Sequence, residues 1–383
     1  MEHKNYTVVT EFVLLGLSQD HEVQMILLFF FLLFYMIILP GNILTILTIC
    51  GDSQLGSPMY FFLANLAFLD ICYCSVTPPK MLADFFSHHK TISYSACMAQ
   101  LFFLHFLGAA EAFLLMVMAY DRYVAICKPL HYTRLVNRRV CCILVGATWG
   151  GGFIHGIILF ALGIHLPLCG PNILDNFFCD VHQLVKLACA NTYILELLMF
   201  LNNGIVIIMC FTLLLTSYTV LLLKLRTQSS KGKSKVASTC VAHIIVVFVM
   251  CGPAMYIYGL PFQAVPMEKV VAVFHTVIFP LTNPMIYTLC NKEIKGSMWK
   301  LVSKYILWCV QSHLNQSCQL MSKEAFPPLG QVDPVRPQHT LCLKDSSVVI
   351  KAKVLVEAPV LEPSIDVLAV IVSSSVSPHY WED

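Results

Sequence analysis

The chain has 383 residues and a net charge of +2, with 57% hydrophobic and only 12% charged residues. Because a soluble domain carries roughly 25% charged residues, this composition places the chain in the membrane class. The small net charge argues against a polyanionic partner such as nucleic acid. The 17 cysteines show no metal-site spacing. No catalytic triad spacing, phosphate loop or metal motif is visible, so the sequence does not predict an enzyme.

Seven apolar stretches are each long enough to cross a bilayer. A hydrocarbon core of roughly 30 Å needs about 20 helical residues. Internal glycine and proline fit such spans, because neighbouring helices satisfy the freed backbone groups. The sequence therefore predicts an all-α membrane protein, a seven-transmembrane helix bundle with spans at residues 23–49, 58–86, 95–121, 140–164, 194–223, 236–260 and 270–290.

Basic residues set the predicted orientation. Thirteen lysines and arginines follow the third, fifth and seventh spans, against four on the opposite side. Since cytoplasmic loops carry an excess of these residues, we predict a multi-pass plasma-membrane protein with an extracellular N-terminus and a cytoplasmic C-terminus. The predicted regions are an extracellular tail at 1–22, the bundle at 23–290, a short amphipathic eighth helix at 291–309 and an atypical, weakly structured cytoplasmic tail at 310–383.

Two features suit the predicted extracellular side. Asn5 begins the glycosylation sequence Asn5-Tyr6-Thr7 in the short N-terminal tail. Four cysteines also fall on this side, in an oxidising compartment where disulfides form. They allow three pairings, with free thiols as the less favoured alternative; they are Cys97, Cys169, Cys179 and Cys189.

Asp121, Arg122 and Tyr123 stand together at the end of the third span. Ionised side chains at the membrane edge are costly and are usually kept for function. An adjacent acid and base that can be locked or released there is predicted to act as a switch. The alternative interpretation is a stop signal, in which the charges only end the span.

Helical spacing predicts a ligand site. Arg122 lies fourteen residues past Gly108, about 21 Å along a helix, so Gly108 lies well toward the extracellular side. Residues at similar depth on other spans complete an apolar set with few polar groups, as expected of a small-molecule site. No carboxylate or fixed cation is predicted to face it, which favours a neutral ligand. The set is Leu104, His105, Gly108, Ala109, Asn202, Asn203, Val206, Cys251, Met255, Tyr258 and Thr276. For His105, a bond to a ligand and a bond to a neighbouring helix are both open.

Six blocks, in order, resemble the mammalian odorant (olfactory) receptors, a rhodopsin-like G-protein-coupled receptor family, over about residues 5–308. The blocks are Gly41-Asn42, PMYFFLANLAFLD at 58–70, MAYDRYVAICKPLHY at 118–132, Ser217-Tyr218, KVASTCVAHIIVV at 235–247 and PLTNPMIYTLCNKEIK at 280–295. The resemblance implies a receptor that binds small, mostly neutral volatile molecules within the bundle. It also implies activation of a stimulatory heterotrimeric G protein that raises cyclic AMP.

The resemblance assigns further roles. It implies disulfides from Cys97 to Cys179 and from Cys169 to Cys189. A G-protein switch is implied at Asp121, Arg122, Tyr123, Tyr218, Asn283, Pro284 and Tyr287, and a polar core at Asn42, Asp70 and Glu111. Two buried carboxylates cannot both stay charged cheaply unless a cation or a proton is shared. A sodium ion near Asp70 and Glu111 and a protonated Glu111 are the open alternatives.

The chain departs from the family pattern in three places. Cys251 stands where the family usually has a bulky aromatic residue, and Cys290 where it usually has arginine. The chain also runs on past Cys309, near which such receptors normally end. For this extension we favour a weakly structured segment over a partner-binding segment or an aggregation-prone strand.

Two other functions stay open. A rhodopsin-like receptor for a non-odorant ligand, such as a peptide, fits the seven spans, but the short N-terminal tail and sparsely charged outer face count against it. A seven-span transporter also fits the span number. No paired internal repeat or ionisable pore lining favours it.

Overall fold

In a computed structural model of the chain, the described residues are 9–87, 89–168, 172–188, 192–227, 233–258, 268–283, 285–286 and 291–324. They fall into two compact units, divided between Ser297 and Met298. Several predicted features lie outside the described residues: Asn5, Cys169, Cys189, Pro284, Tyr287 and residues 325–383.

The first unit is built mainly of helices. Those that correspond to the first five predicted spans are α1 (His21–Gly51), α2 (Pro58–Cys74) with α3 (Pro78–Phe85), α4 (Tyr94–Cys127), α6 (Arg138–Ile164) and α8 (Tyr193–Thr227). A one-turn helix, α5 (Tyr132–Leu135), lies between α4 and α6, and α7 (Val181–Lys186) lies between α6 and α8. The sixth predicted span corresponds to α9 (Lys233–Tyr258), and the seventh to α10 (Glu268–Val273) and α11 (Phe279–Asn283).

Five of these helical segments are long and apolar enough to cross a membrane, among the residues that the structure describes. The sixth contributes the shorter apolar stretch Ile244–Tyr256. A π-helical turn, Phe274–Ile278, joins α10 to α11. The predicted membrane-protein fold is confirmed.

The second span is not one continuous helix. It breaks after Cys74 and resumes at Pro78, followed by Pro79. Proline lacks the backbone N–H that a helix interior needs, but it is well tolerated in the first turn. The two prolines therefore begin α3, and the predicted range 58–86 is covered by two helices.

Glycines let α6 pack closely against α4. A Cβ atom at Gly152 would lie 2.6 Å from the carbonyl oxygen of Phe106, and one at Gly156 would lie 2.9 Å from the Phe106 Cβ. Small residues four apart are common where membrane helices pack, since they let the backbones approach. This contact brings His105 of α4 and His155 of α6 together, with ring centroids 6.0 Å apart.

A small sheet covers the end of the bundle where α4 begins. Its strands β1 (Glu11–Leu14), β2 (Thr91–Ser93) and β3 (Ile173–Leu174) lie in the order β2–β1–β3. Strand β1 pairs antiparallel with β2, Glu11 opposite Ser93, and parallel with β3, Val13 opposite Ile173. This sheet is not predictable from the sequence, because strands of two to four residues are too short to show an alternating pattern.

The Cys97–Cys179 disulfide lies beneath this sheet, at what is called here the disulfide end of the bundle. It links α4 to the long segment between α6 and α8 and confirms the implied pairing. Phe12 and Leu14 of β1 are buried in the same core, next to Leu101 and Leu174. Strand β1 is thus an integral part of the folded unit.

The helix after the bundle, α12 (Lys292–Glu324), is longer than predicted. We expected an eighth helix ending at residue 309. No glycine or proline lies between Gly296 and Pro327, so no residue with a strong helix-breaking effect interrupts it. In the first unit its opening turns are held by a hydrogen bond from Ser297 Oγ to Asp52 Oδ2 (2.6 Å).

Candidate functional site

A cavity of about 70 Å³ lies inside the bundle, lined by residues of α2, α4, α6, α8, α9 and the seventh span. Its roof comes from Phe178 and Asp180, which flank the disulfide-bonded Cys179. The disulfide fixes this stretch of loop against α4, so the roof is held in place covalently.

The structure places most of the residues predicted from helical spacing on the wall of this cavity. Those that line it are Leu104, His105, Gly108, Ala109, Asn203, Val206, Cys251 and Thr276. Asn202 instead donates a hydrogen bond to the His155 carbonyl oxygen (3.4 Å) and lines a separate groove between α6 and α8. Met255 is half-buried and is not among the lining residues, and the side chain of Tyr258 is not described. The ligand role of all eleven stays a prediction.

Several lining residues were missed by the sequence analysis. Ala112 and Cys210 continue the helical series from Gly108 and Val206, one turn further on, so spacing could have found them. Tyr73 and His155 come from the second and fourth spans, whose faces were not assigned. Met250, Ala272 and His275 were missed on the sixth and seventh spans, although they lie beside or one turn from predicted residues.

Asp180 corrects one prediction outright. We expected no carboxylate to face the cavity, but Asp180 lines it and is only 2% exposed. Its Oδ1 lies 3.9 Å from the Nε2 of His105. The signal was present in the sequence, since Asp180 follows Cys179 directly and the implied disulfide carries it to the top of α4.

A polar contact ties the second and seventh spans together at the cavity wall. The Tyr73 hydroxyl and the His275 Nδ1 share a hydrogen bond of 2.7 Å. A Cβ atom at Gly108 would lie 3.6 Å from Tyr73 and 4.0 Å from His275. These are ordinary contact distances, so Gly108 leaves space beside this pair, but the packing does not require a glycine there.

Below the cavity lies a buried polar cluster. The Nδ2 of Asn283 donates to Asp70 Oδ1 (2.9 Å) and to Glu111 Oε1 (3.0 Å). The side chain of Asn42, predicted in the same core, donates to the Ile38 carbonyl oxygen of its own helix (3.1 Å). The cluster thus joins the second, third and seventh spans.

This cluster offers oxygen atoms to a small cation. Asp70 Oδ2 and Asn283 Oδ1 are buried and have no hydrogen-bond partner among the described residues. Two carboxyl groups that share one donor nitrogen favour a shared proton or a bound cation. The residues fit the predicted sodium ion, which Asp70, Glu111 and Asn283 would hold.

The far end of α4 carries the predicted switch. Asp121 is buried, and Arg122 and Tyr123 are half-buried. The Tyr132 hydroxyl, on α5, donates to Asp121 Oδ1 at 2.7 Å. Tyr218, also predicted in the switch, is buried on α8.

A second contact fixes the roof of the cavity to the seventh span. Glu268, at the start of α10, accepts hydrogen bonds from Gln183 Nε2 (2.9 Å) and Lys186 Nζ (3.0 Å) of α7. Glu268 is buried, and Ala272, one turn further along the same helix, lines the cavity. We call Glu268, Gln183 and Lys186 the roof latch.

The fold is a bundle of apolar helices around a small internal cavity. A disulfide holds a loop at one end, and an Asp-Arg-Tyr triplet lies at the opposite end. These features define a seven-helix membrane receptor. A sequence profile of the olfactory receptor family matches residues 31–305. The chain belongs to the olfactory receptor family, as its sequence blocks predicted. It is accordingly a multi-pass membrane receptor and not an enzyme.

Known members of the family match over nearly their whole length. Human olfactory receptor 4N5 is 58% identical over 306 residues, covering 80% of this chain and 99% of that protein. Human olfactory receptor 4M1 is 60% identical over 309 residues, with 80% and 99% covered. Mouse olfactory receptor 4M1 is 59% identical over 308 residues, with 80% and 98% covered.

Proposed function

We propose that this chain is an odorant receptor that binds a small, mostly neutral volatile molecule in the cavity and activates a stimulatory heterotrimeric G protein, raising cyclic AMP. The observation that carries this proposal is the cavity itself. It is small, and its lining is largely apolar with a few polar side chains, as expected of a small-molecule site. Its walls belong to six different spans.

The proposed mechanism is a shift between two populations of the bundle. A ligand moves such an equilibrium only by binding one form more tightly than the other. The cavity is suited to this because α4 runs from its wall at His105 to Asp121 and Arg122 at the other end. A change in packing around α4 can thus reach the switch, where Arg122 and the basic loops would dock the G protein.

Topology and processing follow from the same proposal. The disulfide end faces the outside of the plasma membrane, with Asn5 glycosylated and Cys169 paired with Cys189. The switch residues, including Pro284 and Tyr287, act at the cytoplasmic side. The regions are an extracellular tail at 1–22, the receptor bundle at 23–290 and a cytoplasmic segment from residue 291 onward, whose part from 310 is dispensable.

Ligand-evoked cyclic AMP, measured with surface staining, tests the proposal. Cells would express the full chain, a form cut after Cys309, and each with Arg122→Ala, and would receive a panel of volatile compounds. We expect both lengths to respond and Arg122→Ala to be silent at equal surface level. A surface-exposed receptor that is silent across a broad panel would contradict the odorant assignment.

A further inference from the structure

The cavity is polar at the roof and apolar at depth. His105 and Asp180 lie at the roof, both less than 10% exposed. Ala112 is seven residues further along α4 than His105, about 10 Å deeper at 1.5 Å per residue. Cys210, Met250 and Cys251 also line the cavity. The cavity thus matches a molecule with one polar group and an apolar body.

We propose that the ligand carries a hydroxyl group, which donates a hydrogen bond to the Asp180 carboxylate at the roof while its apolar body extends toward Cys210 and Cys251. This inference rests on the proposed function, since it names the chemical class of ligand for the same cavity. Asp180 is assigned as a specificity-determining residue.

The carboxylate at the roof favours a ligand that can donate a hydrogen bond. An ionised carboxylate only accepts hydrogen bonds, and its two oxygens together can accept several. A ligand hydroxyl adds a donor to the contacts that Asp180 already makes within the protein. A ligand without a donor leaves the acceptor capacity on the cavity side unused. Ethers and hydrocarbons of the same size are therefore disfavoured.

The neighbouring imidazoles favour an alcohol over an amine. His105 Nε2 lies 3.9 Å from Asp180 Oδ1. His155 lies close to His105, with ring centroids 6.0 Å apart. An imidazole nitrogen can donate to or accept from a hydroxyl, so both polar groups of the roof suit an alcohol. Burying a whole ammonium ion beside these rings costs far more desolvation than burying a hydroxyl.

Binding to the purified full-length receptor in detergent tests the assignment without depending on G-protein coupling. The readout is thermal stabilisation by alcohols, each matched to a methyl ether with the same number of non-hydrogen atoms, such as hexanol and pentyl methyl ether. Hexylamine is the cationic member of this set. The variants are Asp180→Asn, which keeps the size of the side chain but removes its charge, and Asp180→Glu, which keeps the carboxylate.

The control variant is Asp175→Asn. Asp175 lies in the same loop, pairs with Lys269 (2.6 Å) and has a largely exposed side chain that does not line the cavity. A defect of the loop as a whole would affect both positions, whereas loss of a ligand contact would affect Asp180 alone.

We expect alcohols to bind the wild-type receptor about tenfold or more tightly than their matched ethers. Asp180→Asn should narrow this difference, because its amide oxygen is a weaker acceptor than a carboxylate and its NH2 can donate to an ether, while Asp180→Glu and Asp175→Asn keep it. Any one of four results would overturn the assignment. They are equal binding of the matched pairs, an unchanged preference in Asp180→Asn, tighter binding of hexylamine than hexanol, and a folded receptor that binds no alcohol in the set. Alcohol binding without a cyclic AMP response in cells would leave it standing and contradict the proposed function instead.

Discussion

The hydroxyl of Tyr132 donates a 2.7 Å hydrogen bond to Asp121, and so joins the short helix α5 to the end of α4. Burial first, and then the bond to Asp121, raise the pKa of Tyr132 above its ordinary value. The phenol therefore keeps its proton at physiological pH. Because its pKa in the folded receptor is raised, this stabilisation is complete at neutral pH and is lost only as the pH rises through the raised value in strongly alkaline solution.

Tyr132→Phe tests what this bond does. Without the hydroxyl, α5 is no longer tied to Asp121 and the proposed docking face loosens, so we expect a lower maximal cyclic AMP response. A hydrogen bond to a charged group contributes about 1.5–3 kcal/mol, enough for a severalfold effect. Tyr120→Phe is the control, because Tyr120 is exposed on α4, next to Asp121. Equal maximal responses of the two variants at equal surface level would rule out this role.

Gly152→Ala tests the packing of α4 against α6. The new methyl group would lie 2.6 Å from the Phe106 carbonyl oxygen, so the helices must move apart. Overpacking of this kind typically costs about 1–3 kcal/mol. We expect a lower melting temperature of the purified receptor and less receptor at the cell surface.

Gly150→Ala is the matched control for that substitution. A Cβ atom at Gly150 meets nothing within 4 Å, and alanine has the higher helix propensity. This variant should melt at the wild-type temperature or slightly above it. If Gly150→Ala and Gly152→Ala were equally unstable, the loss would reflect a general intolerance of α6 and not its contact with α4.

Glu268→Ala tests the roof latch. The substitution removes the acceptor for the buried Gln183 amide and for Lys186, so α7 is no longer tied to the seventh span. We expect ligand to dissociate about tenfold faster, as loss of roughly 1.4 kcal/mol implies. The measurement is the residence time of an active ligand on the purified receptor.

Lys186→Ala should have a much smaller effect than Glu268→Ala. The Lys186 side chain is 47% exposed, and exposed ion pairs contribute little. Equal effects of the two variants would show that charge, and not the buried Gln183 bond, holds the roof. An unchanged residence time in Glu268→Ala would contradict the latch.

Regular helix geometry accounts for what the sequence could predict. Leu104, His105 and Gly108 lie near one another on α4 because the helix repeats every 3.6 residues. Helical spacing does not decide whether both of two adjacent positions, about 100° apart, face the cavity. Leu104 and His105 both line it, whereas of Asn202 and Asn203 only Asn203 does.

Helical spacing does not predict contacts that loops form. Asp121 and Tyr132 are eleven residues apart across a turn that no helical period describes. Gln183 and Glu268 are separated by 85 residues, and their pairing depends on the path of a long loop. Phe178 and Asp180 are loop residues that could have been placed, through their neighbour Cys179.

A cavity-filling substitution tests most directly whether the cavity is the ligand site. Gly108→Leu projects a side chain into the space beside Tyr73 and His275, where the nearest atoms are at ordinary contact distance. Gly146→Leu, on α6, is the control, since nothing lies within 4 Å of its Cβ position. At equal surface level, the ligand-evoked cyclic AMP response should be lost in Gly108→Leu and kept in Gly146→Leu. A wild-type response from Gly108→Leu would contradict the account, because the ligand would then have to bind elsewhere.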